Sequence, residues 1–210
     1  MKIRFAVAVT VLATLALGAC SSMSPEDCAA TDWTAIGYED GARGLSSDSF
    51  ASHRKACAKH GVTADFRAYQ EGRDEGLLEF CQPGRGYNLG MRGGSYGGVC
   101  DPAREPAFLD AYRMGYQLYT LRSNVNQANA RIAAKERELD AIETTIRDKR
   151  AVLIAEDTTV QDRVLILADL EELSGRTGEI ETEITVLIEE RAAHEMELAQ
   201  YENSVAAYDF

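Results

Sequence analysis

The sequence predicts a mainly α protein: a small disulfide-stapled helical head with a glycine-rich loop, followed by a long antiparallel helical hairpin that packs as a coiled coil. Three observations carry this expectation. Apolar residues recur at alternating spacings of three and four through the C-terminal half, the pattern of helices that bury one seam. Most of the glycines and four of the five cysteines fall between residues 28 and 106, whereas residues 107–210 contain neither proline nor cysteine. A length of 210 residues leaves room for one small domain and an extension.

Composition narrows the function classes. With 45% hydrophobic and 27% charged residues the chain has the balance of a folded protein, neither a disordered tail nor a polytopic membrane protein. A formal net charge of −12 argues against nucleic acid as a partner, because binding a polyphosphate needs a basic face.

Residues 1–19 read as a signal peptide. Lys2 and Arg4 supply a positive start, and the apolar run Phe5–Leu17 is too short to span a bilayer core of about 30 Å. The run ends Leu17-Gly18-Ala19-Cys20, which resembles the lipobox of bacterial lipoproteins, where the cysteine is acylated and becomes the first residue of the mature chain. Cys20 is therefore the expected lipidation site, and residues 20–27 the linker to the head. Each buried acyl CH₂ contributes about 0.8 kcal/mol, so several chains on one cysteine hold a protein to a membrane without a spanning helix. Ser21 and Ser22 stand where an aspartate would retain the protein in the inner membrane, which resembles the sorting pattern for the outer membrane, facing the periplasm.

The head should span residues 28–106. Its cysteines, Cys28, Cys57, Cys81 and Cys100, are even in number and fit a compartment where disulfides persist. Of three connectivities, Cys28–Cys57 with Cys81–Cys100 closes the more modest segments. Helices are expected over Asp32–Gly44, Ser49–Lys59 and Ala64–Phe80, each bounded by capping residues or glycine. From Gln82 to Glu105, with Pro83 and Pro102 near its edges and glycines throughout, a loop is expected. A Tyr-x-x-Gly repeat recurs at Tyr38–Gly41, Tyr69–Gly72, Tyr87–Gly90 and Tyr112–Gly115. On a helix it lets a neighbouring backbone approach closely, or it lines a groove with tyrosines.

These residues together resemble a family. Asp32-Trp33 with Gly37 and Gly41, Tyr69-x-x-Gly72-x-x-x-Gly76-Leu77 leading to Cys81, Gly86-Tyr87-x-x-Gly90, Tyr96-x-x-x-Cys100 and Phe108 to Gly115, set behind a lipobox, are similar to an uncharacterised family of Gram-negative lipoproteins known as a domain of unknown function. The resemblance covers about residues 20–120. It implies an envelope lipoprotein and brings no reaction, substrate or partner.

The hairpin should occupy residues 107–210. One seam runs Met114, Leu118, Leu121, Val125, Ala128, Ile132, Lys135, Leu139, Ile142, Ile146, Lys149, Leu153; a second runs from Ile166 through Leu170, Leu173, Thr177, Ile180, Ile184 and Leu187 to Val205 and Tyr208. The two are out of phase, so a turn is expected at Glu156–Thr159, with Thr159 and Asp162 opening the second helix. Gly175 and Gly178 mark either a weak point in that helix or an alternative turn. Residues 107–210 carry 21 acidic and 11 basic side chains, so most of the negative charge belongs to the rod.

No catalytic constellation, metal site or cofactor is expected. His53, Cys57 and His60 share one helical face, but no second pair completes a zinc site. Gly84-x-Gly86-x-x-x-Gly90 has one residue too many for a dinucleotide loop. Glu71, Asp74, Glu75 and His194 read as solvated or tolerated polar groups. The expected activity is binding: partner docking or self-association through the coiled coil. The alternative is an envelope-polymer module or enzyme in which Arg85, Tyr87, Arg92 and Tyr96 contact peptidoglycan or another anionic glycan.

Overall fold

The structure, a computed structural model, describes residues 24–208, so the signal segment and Cys20 lie outside the described residues. Among these it contains seven helices and no strand: α1 (Pro25–Ala29), α2 (Trp33–Ala42), α3 (Ser49–Ala58), α4 (Phe66–Phe80), α5 (Pro83–Met91), α6 (Glu105–Ile154) and α7 (Val160–Val205). Side-chain caps fix several starts. The Asp32 carboxylate accepts from the amides of Thr34 and Ala35, Asp65 from Ala68, and Thr159 from Asp162.

The two disulfides join Cys28 to Cys57 and Cys81 to Cys100. The expected loop over Gln82–Glu105 is only partly a loop, because Pro83–Met91 forms α5. Glycine lowers helix propensity, yet here it is required: a Cβ on Gly86 or Gly90 would stand closer than 3.0 Å to the carbonyl oxygens of Phe108 and Tyr112 on α6. Tertiary contact thus overrides the local preference. Pro83 at the first turn helps, since its missing N–H has no helical acceptor there.

The head is one design used twice. In the first pair, α2 crosses α4 with Gly37 and Gly41 against the carbonyls of Tyr69 and Arg73, and Gly72 and Gly76 against those of Thr34 and Tyr38. In the second, α5 crosses α6 with Gly86 and Gly90 against Phe108 and Tyr112, and Gly115 against Tyr87. Adding 49 to an α2 number gives its α5 counterpart, and adding 39 to an α4 number gives its α6 counterpart. The correspondence extends beyond the crossing. Gly44 and Gly93 both take positive φ, +72° and +69°, after their helices. Gly44 packs under the Phe80 ring and Gly93 under that of Tyr119. Arg73 donates from Nη2 to the Leu45 carbonyl at 2.9 Å, and its counterpart Tyr112 donates its hydroxyl to the Gly94 carbonyl at 2.9 Å. The disulfides lie beside the crossings: Cys28–Cys57 joins α1 to α3, and Cys81–Cys100 joins the C-cap of α4 to the segment before α6.

Helix α6 passes from the second pair into the rod without a break. It turns at residues 155–159 and returns as α7, which continues through Gly175 and Gly178. Every residue of the α6 seam is buried or half-buried, as is the α7 seam except Tyr208 at its end. At about 1.5 Å per residue the 50 residues of α6 extend about 75 Å. Polar seam positions are paired: Lys135 Nζ lies 2.6 Å from Glu183 and 3.0 Å from Glu138, and Lys149 lies 2.5 Å from Asp169. No described helix is long and apolar enough to cross a membrane.

Candidate functional site

The four residues expected to bind an envelope polymer do not converge. Arg85 is ion-paired with Glu79, whose carboxylate also accepts from Tyr38 Oη at 3.0 Å. That hydroxyl and guanidinium hold Glu79 below the ordinary glutamate range. Tyr96 points inward, its ring 4.8 Å from that of Phe108. Its hydroxyl donates to Glu105 and accepts from the Cys100 amide, both at 2.9 Å, and burial pushes its pKa up. Tyr87 lines a groove between head and rod, with Leu118, Arg122, Glu202, Val205 and Tyr208. Arg92 is exposed at the C-cap of α5.

Of the three residues sharing a face with zinc-like spacing, Cys57 is in a disulfide and the Nε2 of His53 is turned to Asp40 at 3.1 Å. Among the described residues no cluster of three or more His, Cys, Asp or Glu could hold a metal ion. The residue missed in the sequence is Asp40, buried at 5% exposure. It accepts from Tyr69 Oη at 2.8 Å, and burial followed by this hydrogen bond pushes the Tyr69 phenol well above its usual range. Asp40, His53 and Tyr69 tie α2, α3 and α4 together. They form a satisfied polar network with no adjoining nucleophile, and chemically they serve as a clasp.

A second concentration of exposed chemistry lies at the far end of the rod. The turn there is held rigidly. Arg163 donates to the carbonyls of Leu153, Ala155 and Thr158 at 2.7, 2.8 and 3.2 Å, which caps the C-terminus of α6 with a cation. Thr158 Oγ1 donates to the Val152 carbonyl at 2.6 Å. Around this fixed turn Val152, Ile154, Val160, Val164, Leu165 and Leu167 are 52–79% exposed. Val160, Val164 and Leu167 recur at i, i+4 and i+7 along one stripe of α7, and exposed aliphatic side chains on an ordered turn of this kind mark an interaction site.

Residues 32–117 match the family described as a protein of unknown function, DUF2799. The match covers both glycine-crossed pairs, from the N-cap of α2 to just beyond Gly115. The matched residues thus take in the duplicated crossing and the Cys81–Cys100 bridge, while Cys28 and the rod beyond residue 117 lie outside them. No curated protein and no solved structure matches the chain.

The two sites are unequally legible in the sequence. Asp40 sits in Tyr38-x-x-Gly41, a pattern read for its aromatic and small residues, and nothing in its spacing separates it from a solvated aspartate. The tip had a signal: Val152, Ile154, Val160, Val164, Leu165 and Leu167 lie off both seams, in excess of what a two-helix seam needs.

Proposed function

We propose that the protein is a lipid-anchored cell-envelope protein that works by binding rather than by turnover: the stapled head sits near the outer membrane, on its periplasmic side, and the rod carries a docking tip away from it. The lipobox-like Leu17–Cys20 supports the anchor, and two disulfides support an oxidising compartment. The observation that carries the docking role is the tip itself, where a turn locked by Arg163 displays six aliphatic side chains that a solvent-facing hairpin end does not require.

Two experiments test the two halves of this reading. Cys20→Ala is expected to release the protein from the membrane fraction; retention would remove the anchor. A photo-crosslinking residue at Ile154 in intact cells is expected to give a discrete crosslinked species, whereas one on the exposed shaft, at Glu189, gives none. Equal yields at both positions would remove the docking role of the tip.

A further inference from the structure

We propose that the tip docks onto the tip of a second copy of this chain, so that two rods overlap antiparallel by their last two turns. The proposal rests on the docking reading above and names its partner. Charge distribution points to a copy rather than to another surface. Residues 107–210 have a net charge of −10, but the end segment 147–167 contains four basic and four acidic residues and is neutral. The entire excess therefore lies on the shafts. Two shafts side by side repel, and the tips are where two copies meet without that penalty.

The tip is also complementary to itself. Arg150 has no ion-pair partner among the described residues, and neither do Glu156 and Asp157 at the apex. In a two-fold antiparallel overlap centred near residue 153, position 150 of one copy lies level with position 156 of the other, and the symmetry repeats the contact. The exposed stripe of Val160, Val164 and Leu167 lies on the first two turns of α7 and would be covered in the same step. A bilayer with anionic headgroups fits less well, because the apex that would enter first carries Glu156 and Asp157.

The test uses the exported chain with Cys20→Ser, which carries no lipid whether or not the lipobox is functional. Sedimentation equilibrium is expected to show a reversible dimer, and small-angle scattering a maximum dimension well beyond that of one rod. The triple variant Val160→Glu, Val164→Glu, Leu167→Glu should be monomeric with unchanged helicity and melting temperature. Arg150→Glu alone, and Glu156→Arg with Asp157→Arg alone, should each weaken self-association about tenfold. An equimolar mixture of these two variants should recover it as a heterodimer, which general stickiness would not do. A strictly monomeric chain at high concentration, a dimer indifferent to the tip variants, or tip-dependent flotation with anionic vesicles would each overturn the proposal. If Ile154 then crosslinks in cells to a different protein, the docking role survives and only its partner is wrong; if it crosslinks to nothing, both fall.

Discussion

The α2/α4 and α5/α6 pairs solve one packing problem with two chemistries. Asp40, Tyr69 and Glu79 in the first correspond to Leu89, Phe108 and Leu118 in the second. What each face meets explains the difference. Phe108 lies 5.2 Å from the Phe80 ring of the first pair, and Leu118 packs by the rod's Val205, so both face apolar neighbours. Tyr69 faces α3, whose His53 is half in water, and Glu79 faces solvent and Arg85. The crossing is set by glycine and backbone, and the side chains beside it follow their surroundings. On this reading the polar groups of the first pair should be dispensable for the crossing.

The largest expected effect breaks the crossing itself. Gly72→Ala places a methyl closer than 3.0 Å to the Thr34 carbonyl, where only backbone movement gives relief. It should destabilise the head by several kcal/mol, in the range of severe overpacking, and lower the first unfolding transition by circular dichroism. The counterpart of Gly72 is Ala111, which the second pair buries at 2% exposure, so that crossing is wide enough for a methyl at this position. Ala111→Gly should then cost about 2 kcal/mol, from helix propensity and the loss of one buried methyl, well below the cost of the Gly72 variant. Equal losses in the two variants would show that the crossings do not differ.

Next come the staples. With sequence separations of 29 and 19, removing either disulfide should cost about 3–4 kcal/mol by loop entropy. The distribution of the loss should differ. Cys57 is one of only two buried residues of α3, Phe50 being the other, so Cys28→Ser with Cys57→Ser should release α3 to rapid amide exchange while α2 and α4 stay protected. Cys81→Ser with Cys100→Ser should instead loosen the segment 92–104, leaving α5 held against α6. Exchange spread evenly over the whole head in both cases would contradict the idea of separately stapled units.

Much of this was legible in the sequence, but not the duplication's true register. The seams, a turn at 156–159 and the rod's two arms followed from spacing, the phase change between the seams and the Thr159 cap, because a helix that buries one stripe must repeat it. The Tyr-x-x-Gly pattern was visible four times, yet the four are not equivalent. Tyr38 and Tyr87 correspond, whereas Tyr69 corresponds to Phe108 and Tyr112 to Arg73. The likeness of Tyr69–Gly72 to Tyr112–Gly115 is one helical turn out of register. A longer reading, Gly-Tyr-x-x-Gly-x-Arg-Gly at 37–44 and 86–93, carries the real repeat, including the glycine that takes positive φ. Helix α5 was missed because glycine's cost is local and its reason, the α6 backbone, is not. Convergence of Arg85, Tyr87, Arg92 and Tyr96 was not readable for the same reason: which face each took depended on neighbours from elsewhere in the chain.

A smaller effect is expected when the first pair is rewritten as the second. Asp40→Leu with Tyr69→Phe copies the residues at 89 and 108 and leaves half-exposed His53 to water. Replacing a satisfied buried polar network by apolar groups is often neutral or stabilising, so the double variant should unfold within about 1 kcal/mol of the wild type. Tyr69→Phe alone strips Asp40 of one donor and should cost about 1–3 kcal/mol. The two results together measure how far the clasp is an option rather than a requirement. A double variant worse than the single one would mean that the polar groups shape the crossing after all.

The smallest effect concerns pH. Tyr38, first, and Arg85 lower the pKa of Glu79 in the folded chain, so the unfolded state binds the proton at higher pH than the folded state does. Its contribution to stability is then present in full above about pH 5, where an unfolded glutamate is ionised, and is lost as pH falls through the lowered folded value. Glu79 is solvent-exposed, so the slope is shallow and salt weakens it. Glu79→Gln should flatten the acid limb of the wild-type stability curve below about pH 5, by lowering the neutral plateau slightly while leaving the acid end in place. The second pair has Leu118 at this position, with no carboxylate to titrate, so Leu118→Gln should leave the acid limb's shape unchanged while lowering the whole curve. A flattened limb in the Leu118 variant as well would place the acid sensitivity outside the first pair and remove the electrostatic difference between the two copies.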